Sequence, residues 1–145
     1  MSRPRLRADR GFTLVELLVA MLILAILLAI GLTSFLGQKT KAQDANAKTV
    51  VVTATKAMLA FGTDHGGFAD ATNDDLAKIE PSLGQARNLT IDSTDKAFTV
   101  TVDSAAANGA TFSIQHTAAG DEIRDCSLPG TGACRQDLND HGDRW

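Results

Sequence analysis

The sequence contains few histidines and cysteines, which are common in catalytic and metal sites. It has three histidines and two cysteines in 145 residues. The histidines, His65, His116 and His141, are scattered, and the adjacent pair Asp64-His65 lies in a glycine-rich segment where neighbouring side chains diverge. The sequence has no phosphate-binding glycine loop, nucleophile elbow or metal-ligand cluster. We therefore expect no enzyme activity, no metal site and no cofactor.

Basic charge is scarce beyond the first ten residues. Residues 1–10 have a net charge of +3, whereas the whole chain has −3, so residues 11–145 have −6. The basic residues of that N-terminal segment are Arg3, Arg5, Arg7 and Arg10. An acidic remainder gives no electrostatic footprint for nucleic acid, and we expect no direct nucleic-acid binding. A basic flank before an apolar run predicts that the N-terminus stays cytoplasmic and that the rest lies outside.

Charge is absent from residue 17 to residue 38. The uninterrupted apolar run over residues 17–32 is 16 residues long. Extended through residue 36 it reaches about 20 residues, which span a bilayer as a helix of roughly 30 Å. An ordinary secretory signal has an apolar core of about 7–15 residues followed by a small-residue cleavage site. No convincing Ala-x-Ala site follows this run, so an ordinary signal fits poorly.

Two features stand directly before the apolar run. Glu16 is a carboxylate at its edge, and at mid-bilayer such a charge costs roughly 2.5–3.5 kcal/mol, which favours a functional role with a partner. The alternative is that Glu16 extends to the lipid headgroups and needs no partner. Gly11 marks the break between the basic leader and Phe12, and glycine lets a backbone enter a protease cleft without a side-chain clash.

The string GFTLVELLVAMLILAIL, residues 11–27, resembles the N-terminal signature of the type IV pilin (prepilin) superfamily, which includes the type II secretion pseudopilins. The resemblance implies that a prepilin peptidase cleaves between Gly11 and Phe12 and that the new amino group of Phe12 is methylated. It also implies that Glu16 meets the Phe12 amine of a neighbouring subunit during assembly. Implied partners are other copies or other pilins, the peptidase, and the pilus assembly platform with its ATPase. A helix-breaking proline common in this family is absent. Gly31 and Gly37 can serve instead, and the alternative is that these small residues only permit close helix packing in lipid.

The helical pattern continues past the membrane segment. Apolar residues recur at one-face helical spacing, so we predict one helix over residues 12–61 that ends before Gly62. The stripe comprises Ala47, Val50, Ala54, Met58 and Phe61. The predicted organisation is a leader over 1–11, a transmembrane or filament-core helix over 12–36, its amphipathic continuation over 37–61, and a globular head over 62–145.

The head combines a loop region, a sheet and a tail. In the loop region, residues 62–86, Thr72 is placed to cap a short helix that ends near Glu80, before Pro81. Alternation predicts strands over 88–92, 97–103 and 111–117 and a fourth around 122–124, so an antiparallel meander over about 88–124. The fold class is α+β: a helical spine with the sheet packed on its C-terminal half, an arrangement taken from the pilin resemblance.

The two cysteines lie in the last part of the chain, residues 125–145. The turn signal Pro129-Gly130 can bring Cys126 and Cys134 together, and a disulfide there is permitted outside the cytoplasm. The resemblance implies such a stapled loop, and the alternative is two unpaired thiols. Residues 137–142 superficially resemble the opening of a calcium loop, but the loop's bidentate acid would fall past the last residue. A solvated acidic tail is therefore expected.

The sequence predicts a structural subunit of a type IV pilus or pilus-like filament. It would be a single-pass membrane protein before assembly and part of an extracellular filament afterwards. A type II secretion pseudopilin and a competence pilus subunit share this N-terminus and stay open as alternatives. The alternative from another class is a membrane-anchored or secreted binding domain with an ordinary anchor or signal.

Overall fold

A computed structural model describes residues 11–140 and 142–145. The predicted leader, residues 1–11, therefore lies outside the described residues except for Gly11. The chain divides into two compact units, one ending at Leu36 and the other running from Gly37 to Trp145. Helix α1, Leu14–His65, contributes to both units. The second unit also contains α2, a short 3₁₀ helix and a sheet.

Helix α1 ends at His65, so the end predicted at residue 61 is wrong. Gly62 is a point of close approach within the helix, because a Cβ there would overlap the ring of Phe68. The termination signal is Gly66, which has φ +78° and donates its backbone N–H to Gly62 O at 2.9 Å. A left-handed glycine directly after the last helical residue is a common C-terminal cap. Gly66, and not Gly62, therefore ends the helix.

Helix α2, Asn73–Ile79, forms as the capping pattern predicts. The Thr72 side chain accepts from the backbone N–H of Asp75, and the Asp75 side chain accepts from the backbone N–H of Thr72. Both bonds satisfy N–H groups that a helix start leaves unpaired. Leu76 anchors α2 in the core with no exposed surface. An unpredicted 3₁₀ helix, Pro81–Gln85, follows, since proline is tolerated at the first position of a helix.

Four antiparallel strands form a meander in the order β1-β2-β3-β4. They are β1 (Thr90–Ser93), β2 (Phe98–Asp103), β3 (Thr111–His116) and β4 (Glu122–Cys126). The first strand begins two residues later than predicted because Asn88 has φ +47°, a turn conformation that a strand does not accept. The fourth strand continues to Cys126, where it pairs with Phe112.

The sheet packs against the C-terminal half of α1. Alternate side chains of the two central strands are buried, which include Val100, Phe112 and Ile114, and they share one core cluster with the helix. The helix contributes mostly small side chains to that cluster, namely Ala47, Val51, Ala54, Ala57 and Met58. Small residues let the sheet lie close to the helix backbone. The α+β class predicted from the sequence is confirmed, as is the packing of the sheet on this half of the helix.

Candidate functional site

The N-terminal start of α1 carries the sequence-predicted site residues. Thr13 precedes the helix, and its hydroxyl accepts a hydrogen bond from the backbone N–H of Glu16 at 3.2 Å. Its carbonyl accepts from the backbone N–H of Leu17, also at 3.2 Å. Thr13 therefore caps the helix, a role that the spacing Thr-x-x-Glu signals but that the sequence analysis missed. Capping fixes the position of Glu16 in the first helical turn.

Glu16 is the acidic residue of that first turn, and its side chain is exposed in the single chain. The positive end of the helix dipole favours a carboxylate at this position. Phe12, four residues earlier, is 82% exposed. Within the part of the chain that the structure describes, both side chains are thus exposed to an approaching second molecule.

Gly11 lies in open space, and a Cβ added there would meet no atom within 4 Å. Among the described residues, no neighbouring atom therefore requires glycine at position 11. A requirement for glycine there would have to come from another molecule that binds this segment.

The first unit presents a continuous apolar surface. Every side chain that the structure describes between residues 12 and 36 is exposed, and these include Leu14, Leu24, Ile30 and Phe35. Among the described residues, α1 is the one helix long and apolar enough to cross a membrane, with an 18-residue window of mean hydropathy 2.9. A surface of this extent is far larger than the apolar patches of soluble monomers, so it has to be covered by lipid or by protein.

The second unit holds the cysteines. Cys126, the last residue of β4, and Cys134 are joined by a disulfide, and both side chains are buried. The sequence left open a disulfide or two unpaired thiols, and the structure contains the disulfide. The loop that it closes contains Gly130, whose backbone N–H donates to Cys134 O at 3.0 Å.

The last four residues, 142–145, are packed on the head, whereas Asp137 and Asp140 of the predicted solvated tail are exposed. The Trp145 indole donates to Asp125 O at 2.8 Å, and its ring lies edge-on to Phe112 with the centroids 6.0 Å apart. The backbone N–H of Arg144 donates to Arg124 O at 2.8 Å. These bonds run along β4, where they satisfy an otherwise open strand edge. The partly buried Trp145 ring packs against the core and stabilises this part of the tail, which acidic side chains alone would not do.

The side chains of Asn139 and Asp143 bond to each other, and Asp143 also bonds to β4. Asp143 accepts from the backbone N–H of Arg124 at 2.9 Å and from the Asn139 side chain at 3.2 Å. His141 lies outside the described residues. Across the described part of the chain, no group of three or more His, Cys, Asp or Glu side chains is arranged to hold a metal ion.

The other two histidines serve as aromatic packing groups. His65 stacks on Phe61 with ring centroids 4.0 Å apart, and His116 stacks on Phe98 at 5.0 Å. The structure brings neither of them together with an acid and a nucleophile in any contact described for them. Asp64 and His65 are both exposed at the C-terminal end of α1.

A family model described as the prokaryotic N-terminal methylation motif matches residues 6–32. The match contains Gly11, Phe12, Thr13 and Glu16 and stops before the head. No curated protein and no solved structure matches the chain. Over residues 6–32 the chain is similar to prepilin-like proteins, which carry this N-terminal methylation motif, and these residues include the start of the exposed apolar helix.

Proposed function

We propose that this protein is a pilin, a structural subunit of a type IV pilus or pilus-like filament. Prepilin peptidase removes the leader after Gly11, and the processed chain polymerises through α1. The observation that carries the proposal is the methylation motif at residues 6–32, which overlaps a helix whose described side chains from 12 to 36 are all exposed.

The exposed apolar surface supports polymerisation because it must be buried both before and after assembly. Before assembly, lipid covers it, and the length of the uncharged run suits a bilayer. In a filament, the same surface packs against the helices of other copies. Glycines such as Gly31, which has open space around it, allow helices to approach closely in an apolar medium.

Glu16 gives that packing a register. The carboxylate lies in the first turn of α1, close to the point where cleavage would create a new amine on Phe12. A carboxylate and an amine brought together in an apolar bundle offset each other's desolvation, whereas either group alone stays unfavourable. A neighbouring copy in the wrong register would leave Glu16 unpaired. Glu16 therefore acts as the register residue of assembly.

The other functions compatible with this N-terminus differ in what the filament does. A secretion pseudopilin and a competence subunit would use the same processing and the same helix. The net charge of residues 11–145, −6, favours a surface that does not bind DNA directly. A membrane-anchored binding domain would keep its leader or lose the whole apolar run.

The test is the chemistry of the N-terminus. The full chain is produced in membranes with and without prepilin peptidase, and its intact mass and N-terminal sequence are determined. With the peptidase, we expect a chain that begins at Phe12 and carries one extra methyl group. A chain that begins at Met1, or beyond residue 36, would overturn the proposal.

Two matched glycine variants separate recognition by the peptidase from effects on the fold. Gly11 and Gly31 both have open space around the position of a Cβ. We expect Gly11→Val to block cleavage, because the new side chain has to enter the protease cleft, and Gly31→Val to be cleaved like the wild type. Equal cleavage of the two variants would contradict processing at Gly11.

A further inference from the structure

A buried carboxylate joins helix α1 to two distant loops of the head. Asp44 has no exposed surface. Its Oδ1 accepts from the hydroxyl of Ser104, in the β2–β3 connection, at 2.7 Å. Its Oδ2 accepts from the backbone N–H of Ala133, in the disulfide loop, at 2.9 Å. A buried charge is stable only when its oxygens are hydrogen-bonded, so both loops are needed to satisfy Asp44.

Lys48, one turn further along α1, bonds the same loop residue. Its ammonium donates to Ala133 O at 2.6 Å, so both backbone polar groups of Ala133 are bonded to the helix. The ammonium also lies 5.3 Å from the ring centre of Phe112 and 5.5 Å from that of Trp145. Burial lowers the pKa of Lys48, and the nearby Asp44 charge opposes that shift.

The loop is shaped to receive the carboxylate. Gly132 directly precedes Ala133 and has φ +61°, a conformation that favours glycine. A Cβ at Gly132 would overlap Oδ2 of Asp44. The glycine thus provides both the backbone turn and the space that let Asp44 reach the N–H of Ala133.

We propose that Asp44 and Lys48 form a latch that holds the disulfide loop on α1, and that the latch and the Cys126–Cys134 bond stabilise each other. The disulfide ties Cys134, the neighbour of Ala133, to the end of β4. When the disulfide is reduced, the two hydrogen bonds from α1 must offset the full conformational entropy that the loop gains by detaching. Loss of the loop would take the N–H of Ala133 away from Oδ2 of Asp44.

The coupling makes loop docking sensitive to redox conditions. In the reduction step, two molecules of a monothiol such as glutathione supply two electrons and two protons. The Cys126–Cys134 bond breaks to two thiols, and the monothiol forms its own disulfide. Because linkage is reciprocal, a latch that favours the oxidised loop also makes the disulfide harder to reduce. This inference concerns the head and is independent of the proposed filament function.

The test is a redox titration of the full chain in detergent micelles with glutathione, in which alkylation of free thiols reports the oxidised fraction. We expect Asp44→Ala to lower the equilibrium constant for disulfide formation about tenfold, which corresponds to roughly 30 mV. Leu76→Ala, a buried change in α2 outside the latch, serves as the control for general destabilisation. We expect it to leave that constant within about twofold.

Trp145 gives a second readout because it is the chain's one tryptophan and contacts the latch through Lys48. Reduction of the wild type should shift its fluorescence emission to the red as the loop and tail become solvated. The proposal fails if reduction leaves the emission unchanged. It also fails if Asp44→Ala leaves the redox equilibrium unchanged, or if Leu76→Ala shifts that equilibrium as much as Asp44→Ala does.

Gly132→Ala keeps the proposal testable if Asp44→Ala does not fold. It perturbs the latch from the loop side, and Gly120→Ala is its control. Gly120 also has a positive φ, +94°, but a Cβ there meets no atom within 4 Å. We expect only Gly132→Ala to favour the reduced thiols, and equal effects of the two changes would overturn the proposal.

Discussion

The contact between α1 and the sheet makes Ala54→Leu the most informative stability variant. Ala54 has no exposed surface and lies in the core cluster with Phe112 and Ile114. The substitution adds an isopropyl group where the sheet lies on the helix. Overpacking of this kind costs about 1–3 kcal/mol. For a head of this size each kcal/mol lowers the Tm by about 4–8 °C, so we expect a decrease of about 5–20 °C.

The matched control is Ala60→Leu, the same chemical change at an exposed position of the same helix. We expect it to alter the free energy of unfolding by at most about 0.5 kcal/mol. Thermal unfolding of the full chain in detergent micelles is followed by Trp145 fluorescence, because the apolar helix stays helical in micelles and would mask the head in circular dichroism. If Ala54→Leu lowered the Tm no more than Ala60→Leu, the packing of the sheet on this face would be refuted.

Three further predictions address the cap, the disulfide and the register residue. The Thr72 hydroxyl is the main cause of the low pKa of Asp75, about 2 against an ordinary 3.8. Since that folded-state pKa is depressed, the stabilising contribution of Asp75 is lost as the pH falls from 3.8 to about 2, and Thr72→Ala should raise the pKa in an NMR titration. An unchanged titration midpoint would contradict this. Replacement of Cys126 and Cys134 by serine should lower the free energy of unfolding by about 2–3 kcal/mol in denaturant titration, and an unchanged unfolding midpoint would refute the stabilising role. Glu16→Ala should leave cleavage intact and reduce the yield of filaments in electron microscopy, whereas an unchanged yield would refute the register role.

Local patterns in the sequence were sufficient to predict most helices and strands of the head. The alternation of Phe98, Val100 and Val102 placed β2 to within one residue at its start. The cap of α2 was also predicted, because capping depends on residues only three positions apart. The end of α1 was not. Gly62 and Gly66 look alike in the sequence, and only the approach of Phe68 and the positive φ of Gly66 distinguish their roles.

The latch and the packed tail could not be predicted, because their partners are far apart in the sequence. Asp44 lies 60 residues from Ser104 and 89 from Ala133. Asp44 lies three residues before Ala47, on the same helix face as the apolar stripe, but its polar side chain gives no hydrophobic signal for burial. Trp145 likewise contacts Phe112 only after the sheet has formed. The N-terminal site is different, because its motif is continuous in sequence and needs no long-range contact to be recognised.

The most direct test of the proposed function is the N-terminal sequence and intact mass of the chain isolated from assembled filaments. We expect every copy to begin at Phe12, to carry one methyl group on its amine, and to have lost residues 1–11. Filaments built from chains that retain Gly11 would contradict it, because the amine proposed to pair with Glu16 would then not exist.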